Sequence, residues 1–269
     1  MSALTVPESE AYLHFAIDTA RAAGQVIYEG AHRPIEVTSK GLRNLLTDVD
    51  LAAERTIVEA IRMRYPEHDI LTEETPPEAR SSRYQWVIDP LDGTGNFSRR
   101  VPCFCTSIAL AVDDQPVVGV VYDPMVDRLY AARSGGGATL NGVPMSVTQT
   151  TEMVQTVIGM DWTRSSVTRR QNACVIAELV PVCGTVRISG SAALGICNVG
   201  AGSWDAYWHL ELSAWDVAAG AVIVREAGGQ VTDLQGQPWT VGEGPVLVSN
   251  GVLHDTFRGY VNQGCEQVS

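Results

Sequence analysis

WVIDPLDGTGNF, Trp86 to Phe97, decides how the rest of this chain is read. Tyr84 to Ile88 is short, aromatic and β-branched, which predicts a buried strand, and Pro90 biases Asp89 towards extended backbone where that strand ends. Asp92 follows two residues after Pro90. Gly93, Thr94 and Gly95 then open a helical turn with small residues whose amides stay accessible, a geometry that binds anions. Two carboxylates aimed at the place of an anion repel it. They also repel each other, by about 4 kcal/mol for a pair about 4 Å apart at an effective dielectric of about 20. A cation must stand between them, and a hard divalent ion with oxygen ligands, such as Mg²⁺, fits. Asp-Pro and Asp-Gly each also occur as plain turns. Only their combination points to chemistry.

Outward from that stretch, 269 residues with 45% hydrophobic content can bury a substantial core in one layered domain or two small ones. The net charge of −12 argues against nonspecific nucleic-acid binding, which needs a basic surface. An acidic chain acting on phosphates carries its positive charge as bound metal. MSALTVPESEAYLHF has no basic segment followed by an apolar core, and no apolar run reaches the ~20 residues needed to span a bilayer. The expectation is a cytoplasmic protein with no membrane partner. Cys103, Cys105, Cys174, Cys183, Cys197 and Cys265 form no CxxC pair and read as reduced, mostly buried thiols. The five histidines are isolated and HExxH is absent, so no zinc site is expected.

Leu13, Ile17, Ala20, Gly24 and Ile27 recur at helical spacing and predict a helix from Ser9 to about Tyr28, with Gly30 as its stop. Ile35, Val37 and a turn at Ser39 to Gly41 predict a short hairpin, in which Lys40 is the cation to follow. TDVDLAAERTIVEAIRMRY, Thr47 to Tyr65, reads as a second helix. Thr47 and Asp50 have the spacing of a capping box, so Asp50 alone reads as a helix cap. Ile70 and Leu71 end a strand that delivers Glu73 and Glu74 to a proline-bounded turn. Adjacent acids point apart, so only one of them faces a given site. Thr106 to Ala132 alternates apolar runs and turns as an antiparallel meander, and Gly135 to Gly137 is hairpin punctuation rather than a nucleotide loop, lacking the helix and Lys of a P-loop.

Near Ser146 to Glu152 the pattern changes to strands alternating with helices. Two subdomains are expected: 1–148 carrying the Asp-rich motif, and 149–269 completing the active site. Strands are predicted at Val154–Met160, Thr185–Ile188 and Ala206–Leu212, and helices at Thr168–Leu179 and Ser191–Val199. Trp215-Asp216 opens a further helix closed by Gly228 and Gly229, where Asp216 stands at the N-cap position. No element is predicted beyond Gly229.

The segments LLTDVD, LTEE, WVIDPLDGTGNF, GVVYDP, SGSAA, WDVAAG and EAGG, in this order, span nearly the whole chain. The set resembles the inositol monophosphatase family of Mg²⁺-dependent sugar phosphatases. The departures are Gly95 in an open motif position and Thr72 where the family has Gly in its GEE element. That resemblance implies an α/β fold, a layered αβαβα sandwich of the carbohydrate-phosphatase type. It also implies two Mg²⁺ ions per site with a third, weaker one, a small phosphorylated polyol or sugar as substrate, and a homodimer. By position, Glu73, Asp89 and the Leu91 carbonyl would hold one ion, and Asp89, Asp92 and Asp216 the second. Asp50 and Thr94, with Glu73 nearby, would orient the attacking water, and the Gly93 and Thr94 amides would bind phosphate. Ala192, His209 and Asp216 would meet the substrate.

At His209 the family carries a Glu that accepts two sugar hydroxyls. An imidazole offers at most one acceptor, and Glu211 lies two residues on. The phosphatase chemistry is therefore expected on inositol monophosphate or a related polyol phosphate. Alternatives are fructose 1,6-bisphosphate, histidinol phosphate or a 3′-phosphonucleotide, and, in another class, a non-catalytic binding or regulatory protein on the same fold.

Overall fold

The computed structural model describes residues 4–77 and 79–267, so the outer ends of the two expected subdomains lie outside the described residues. The first element, α1 (Val6–Ala31), starts before the expected Ser9 because Thr5 and Glu8 form a reciprocal capping box and Pro7 fills the first turn. Ala16, Ala20, Ala23 and Ile27 make its buried stripe. Gly30 does not stop the helix. It lies inside it, where a Cβ would stand 2.5 Å from the Val49 side chain, so its role is close packing on the next helix.

The hairpin β1 (Val37–Gly41) and β2 (Asn44–Thr47) turns at Leu42-Arg43, slightly later than expected, with Arg43 in the left-handed region at φ 58°. Helix α2 (Asp48–Arg64) is capped by Thr47. Strands β3 (Asp69–Thr72) and β4 (Tyr84–Asp92) pair in parallel. The short helix α3 (Thr94–Ser98) follows. The antiparallel meander of β5 (Cys105–Val112), β6 (Gln115–Asp123), β7 (Arg128–Arg133), β8 (Ala138–Leu140) and β9 (Val143–Pro144) completes a seven-stranded sheet ordered β3-β4-β5-β6-β7-β8-β9.

A 3₁₀ turn at Met153–Gln155 takes the first half of the strand expected at 154–160, leaving β10 (Val157–Met160). Then come α4 (Ser166–Leu179), β11 (Thr185–Ile188), α5 (Ala192–Gly200), β12 (Ala206–Leu212) and α6 (Ala214–Glu226). Three elements without a sequence prediction close the chain: β13 (Gln230–Thr232), β14 (Gly244–Ser249) and α7 (His254–Glu266). The second sheet runs β11-β10-β12-β14-β13 and mixes parallel with antiparallel pairs.

Helices α1 and α2 cover one face of the seven-stranded sheet, α5 and α6 fill the space between the sheets, and α4 and α7 cover the outer face of the second. This is the expected αβαβα layering. Strand alternation divides the side chains between layers: Trp86 and Ile88 of β4 face α1 and α2, while Val87 faces the middle layer. Helices buried between two sheets must be apolar all round and slim, which explains Ala192-Ala193 in α5 and Ala218-Ala219-Gly220-Ala221 in α6. Both sheets are thereby brought close above the ends of β4 and α6.

Candidate active site

Strand β4 does not stop at Ile88 but continues through Pro90 to Asp92. Proline has no N–H for a ladder, and the chain accommodates it with a bulge: the register against β5 shifts between Asp89 and Asp92, leaving Pro90 and Leu91 out of the pairing. The same bulge turns both carboxylates towards one place. An oxygen of each of Asp89, Asp92 and Asp216 lies within 4.8 Å of the others.

Each acid is held by its other contacts. Asp89 Oδ1 accepts the Leu91 N–H at 3.0 Å. Asp92 Oδ2 accepts from the Ser191 hydroxyl at 2.5 Å and the Ala193 N–H at 2.9 Å, at the start of α5. Asp216 Oδ2 accepts the Ser213 N–H at 2.8 Å. The helix cap is Ser213, not Asp216 as expected from the sequence, because the helix begins earlier, at Ala214. Asp216 is the third helical residue, the one that reaches back. Burial, reinforced by the neighbouring carboxylates, pushes Asp89 well above the carboxylate range and Asp216 up to about 8; burial alone dominates at Asp92, raised to about 6 despite its Ser191 and Ala193 donors.

Such a trio fits a hard cation. All the donors are carboxylate oxygens, and the nearest thiol, Cys105, is held in its neutral form because burial raises it far above the usual thiol range. The Leu91 carbonyl, expected as a further ligand, accepts the Thr94 hydroxyl at 3.0 Å.

Asp50 and Thr94 meet beside this trio. Thr47 donates its N–H (2.8 Å) and its hydroxyl to Asp50 Oδ2, completing the capping box read from the sequence. Oδ1 remains to accept the Thr94 hydroxyl at 3.0 Å. Gly93, the N-cap of α3, has φ 90°, and a Cβ there would stand 2.9 Å from the Cys103 carbonyl, so this turn needs glycine.

Glu73 is placed differently from the trio. It faces the same cavity, but its Oε1 lies 3.2 Å from Lys40 Nζ and 3.5 Å from Arg164. Glu74 does not line the cavity, but the two acids do not point apart as expected: both of its oxygens lie on the same Lys40 Nζ, at 2.8 and 2.9 Å, because that cation draws the adjacent carboxylates together. The hairpin cation singled out in the sequence is therefore the clamp on this acidic pair.

The cavity, about 780 Å³, opens above the acids between the two sheets. Ala192 and His209 both line it, His209 from the middle of β12. Its other wall was not foreseen: Arg43 from the hairpin turn, and Asp161, Trp162 and Arg164 from the loop between β10 and α4. Arg43 ties the two loops together by donating to the Arg164 carbonyl at 2.7 Å. Asp161 is fully engaged, accepting from Ser189 at 2.9 Å, the Gly190 N–H at 2.5 Å and the Tyr207 hydroxyl at 3.1 Å. The turn expected at Ser39 to Gly41 falls instead at Leu42-Arg43, with Arg43 at φ 58°, which is what brings its side chain to the cavity wall.

The model of the inositol monophosphatase family matches residues 8–265. Among proteins of known name, the chain is 42% identical to the Nus factor SuhB of Pasteurella multocida over 229 residues, 83% of this chain and 85% of that protein. It is 36% identical to inositol monophosphatase 3 of Solanum lycopersicum over 265 residues, 94% of this chain and 97% of that one. Among solved structures, the Thermotoga maritima IMPase superposes with a TM-score of 0.90 at 32% identity, covering 96% of this chain and all of that one.

Proposed function

We propose that this chain, which belongs to the inositol monophosphatase family, is a Mg²⁺-dependent phosphomonoesterase. Its substrate is inositol monophosphate or a similar small polyol or sugar phosphate. The observation that carries this reading is the convergence of Asp89, Asp92 and Asp216 at the floor of a cavity, beside the Thr94–Asp50 pair. Two Mg²⁺ ions, with a third near Glu73, are part of the proposal. Asp89, Asp92, Asp216, Glu73 and the Leu91 carbonyl would hold them, and the metal would supply charge neutralisation at the phosphate and a more acidic water.

The chain's own residues then do the following. Thr94 keeps its hydroxyl proton on Asp50 Oδ1 or the Leu91 carbonyl, so its lone pairs are free to accept from a water poised for in-line attack. Asp50 is 1% exposed, and burial raises its pKa, which suits a group that takes up the water's proton through Thr94. The Gly93 and Thr94 amides bind phosphate oxygens, and Ala192 and His209 meet the rest of the substrate. No covalent phosphoenzyme is required, because the attacking group is water.

A second reading rests on a relative's name. At 42% identity to a protein called a Nus factor, the chain could instead serve as a regulatory binding protein that keeps the fold. One experiment separates the two. Phosphate release is measured from inositol 1-phosphate, fructose 1,6-bisphosphate, histidinol phosphate and adenosine 3′,5′-bisphosphate, with and without Mg²⁺, beside Asp92→Asn. Mg²⁺-dependent turnover that vanishes in the variant supports the phosphatase. Intact Mg²⁺ binding without turnover of any ester favours the regulatory reading.

The proposal also includes a homodimer, to be read from light scattering, a cytoplasmic location, and division of the chain near residue 148. Among the described residues no helix is long and apolar enough to cross a membrane.

A further inference from the structure

Where relatives are expected to present a carboxylate to the substrate's hydroxyls, this chain has His209, and the surroundings of that ring fix its proton. The Glu211 backbone N–H donates to His209 Nδ1 at 3.1 Å. A nitrogen that accepts from an N–H carries no proton, so the neutral ring must hold its hydrogen on Nε2. The residue is 6% exposed and lines the cavity. Nδ1 is the ring atom that is engaged, and the Nε2–H is left to serve the cavity.

The ring stays neutral: burial, and then the Arg164 guanidinium across the cavity mouth, hold its pKa down to about 4. Glu211 also lines the cavity, but not from position 209: its Oε2 accepts the Ser165 N–H at 3.4 Å, and its own N–H is the donor that orients His209. The wall that would accept from sugar hydroxyls therefore begins with a donor, and Arg43 and Arg164 add further donors around it.

We infer that His209 Nε2–H makes the alcohol-binding half of the cavity a hydrogen-bond-donor subsite. It selects phosphate esters whose alcohol portion carries an acceptor without a hydrogen, such as a second phosphate or a ring nitrogen, over inositol monophosphate. The inference rests on the proposed phosphatase reading and narrows its substrate class. A hydroxyl meeting Nε2–H accepts from it, and its own hydrogen must then find an acceptor away from the ring, whereas a carboxylate at this position would take that hydrogen directly. A buried group left unpaired is what makes such sites discriminate.

Two measurements test this on the whole protein with Mg²⁺ present. In the first, ¹⁵N-histidine-labelled protein is examined by long-range ¹H–¹⁵N correlation, with the His209 signals assigned by their loss in His209→Gln. The expected result is the neutral Nε2–H form throughout the neutral and mildly acidic range. An Nδ1–H form, or a ring protonated near neutral pH, overturns the inference.

In the second, kcat/KM is measured for fructose 1,6-bisphosphate, adenosine 2′-phosphate and inositol 1-phosphate in the wild type, His209→Glu and His209→Gln. Glu at 209 should shift preference towards inositol 1-phosphate by about tenfold or more, with Gln between. The arm that loses most identifies the acceptor as phosphate or ring nitrogen. Unchanged ratios overturn the inference.

If the wild type cleaves none of the three esters, the phosphatase reading stands or falls on the four-ester panel above, and the His209 resonance decides the subsite. A Nε2–H shift induced by either acceptor ester but not by inositol 1-phosphate upholds the subsite. An equal response to all three, or none, removes it.

Discussion

Two helix starts in this protein use the same device and put it to different ends. At α2, Thr47 caps and Asp50 reaches back; at α6, Ser213 caps and Asp216 reaches back. In both, one carboxylate oxygen is fixed by the cap backbone N–H at 2.8 Å, which leaves the other oxygen to a second partner. At Asp50 that second oxygen is already satisfied by the Thr94 hydroxyl. At Asp216 it faces Asp89 and Asp92, and nothing positive in the trio offsets it. A capping box is thus a way of orienting a carboxylate. What stands opposite its free oxygen decides whether it holds a cation or a proton.

The sharpest break in that comparison is to neutralise each acid in turn. Asp216→Asn should cost about 10³-fold in kcat, since it removes an oxygen that balances metal charge in the transition state. It should also abolish the rise in Tm that Mg²⁺ gives the wild type. Asp50→Asn should cost about 10²-fold, the scale of a proton-transfer role, while leaving the Mg²⁺-dependent rise in place. Steady-state kinetics and thermal melts with and without Mg²⁺ read both. Equal loss of the Tm response in the two variants would erase the distinction.

A smaller effect follows from metal removal. In the trio the folded-state pKa values lie above their unfolded ones, so the native state binds more protons than the unfolded chain. Stability from these groups is fully present below the ordinary Asp value of 3.8 and is lost as pH rises through about 6 for Asp92 and about 8 for Asp216. In EDTA, Tm should therefore fall across that window. With saturating Mg²⁺ the fall should vanish, and in Asp216→Asn its upper part should be missing even in EDTA. A Tm that rises through the window in EDTA would refute the repulsion.

How much of this was legible differs between the two halves of the site. Asp50, Asp89, Asp92 and Asp216 each sit in a local pattern, a capping spacing or an Asp-Pro-x-Asp strand end, but for Asp50 and Asp216 that pattern alone reads as a helix cap, and the resemblance of the ordered segments is what assigns them to the site. The layered fold followed from the same ordered segments. The bulge that lets β4 run through Pro90 was not visible, because it depends on pairing with β5. Gly30 was taken as a stop although it is a contact with Val49, a fact of tertiary approach. Arg43, Asp161 and Arg164 were missed since they meet only when the hairpin and the β10–α4 loop fold over the cavity. The last three elements had no local signal strong enough: β13 has three residues, and α7 carries Gly259 and Gly264 in its interior.

The smallest effect sharpens the comparison most, because it alters the device without touching an acid. Thr47→Ala removes the hydroxyl that, together with the Thr47 N–H, holds Asp50 Oδ2, and with it the acceptor for the Val49 and Asp50 amides. Losing such a cap costs about 1 kcal/mol, a drop of about 2–4 °C in Tm for a chain of this size class. If the cap's purpose is orientation, kcat should fall several-fold at temperatures where the variant is fully folded, with the Mg²⁺-dependent Tm rise unchanged, since the trio is intact. Thr47→Ser, which keeps the hydroxyl, should restore both. Should Thr47→Ala lose stability but keep full kcat, the N–H alone suffices to aim Asp50. The hydroxyl would then belong to the helix and not to the site.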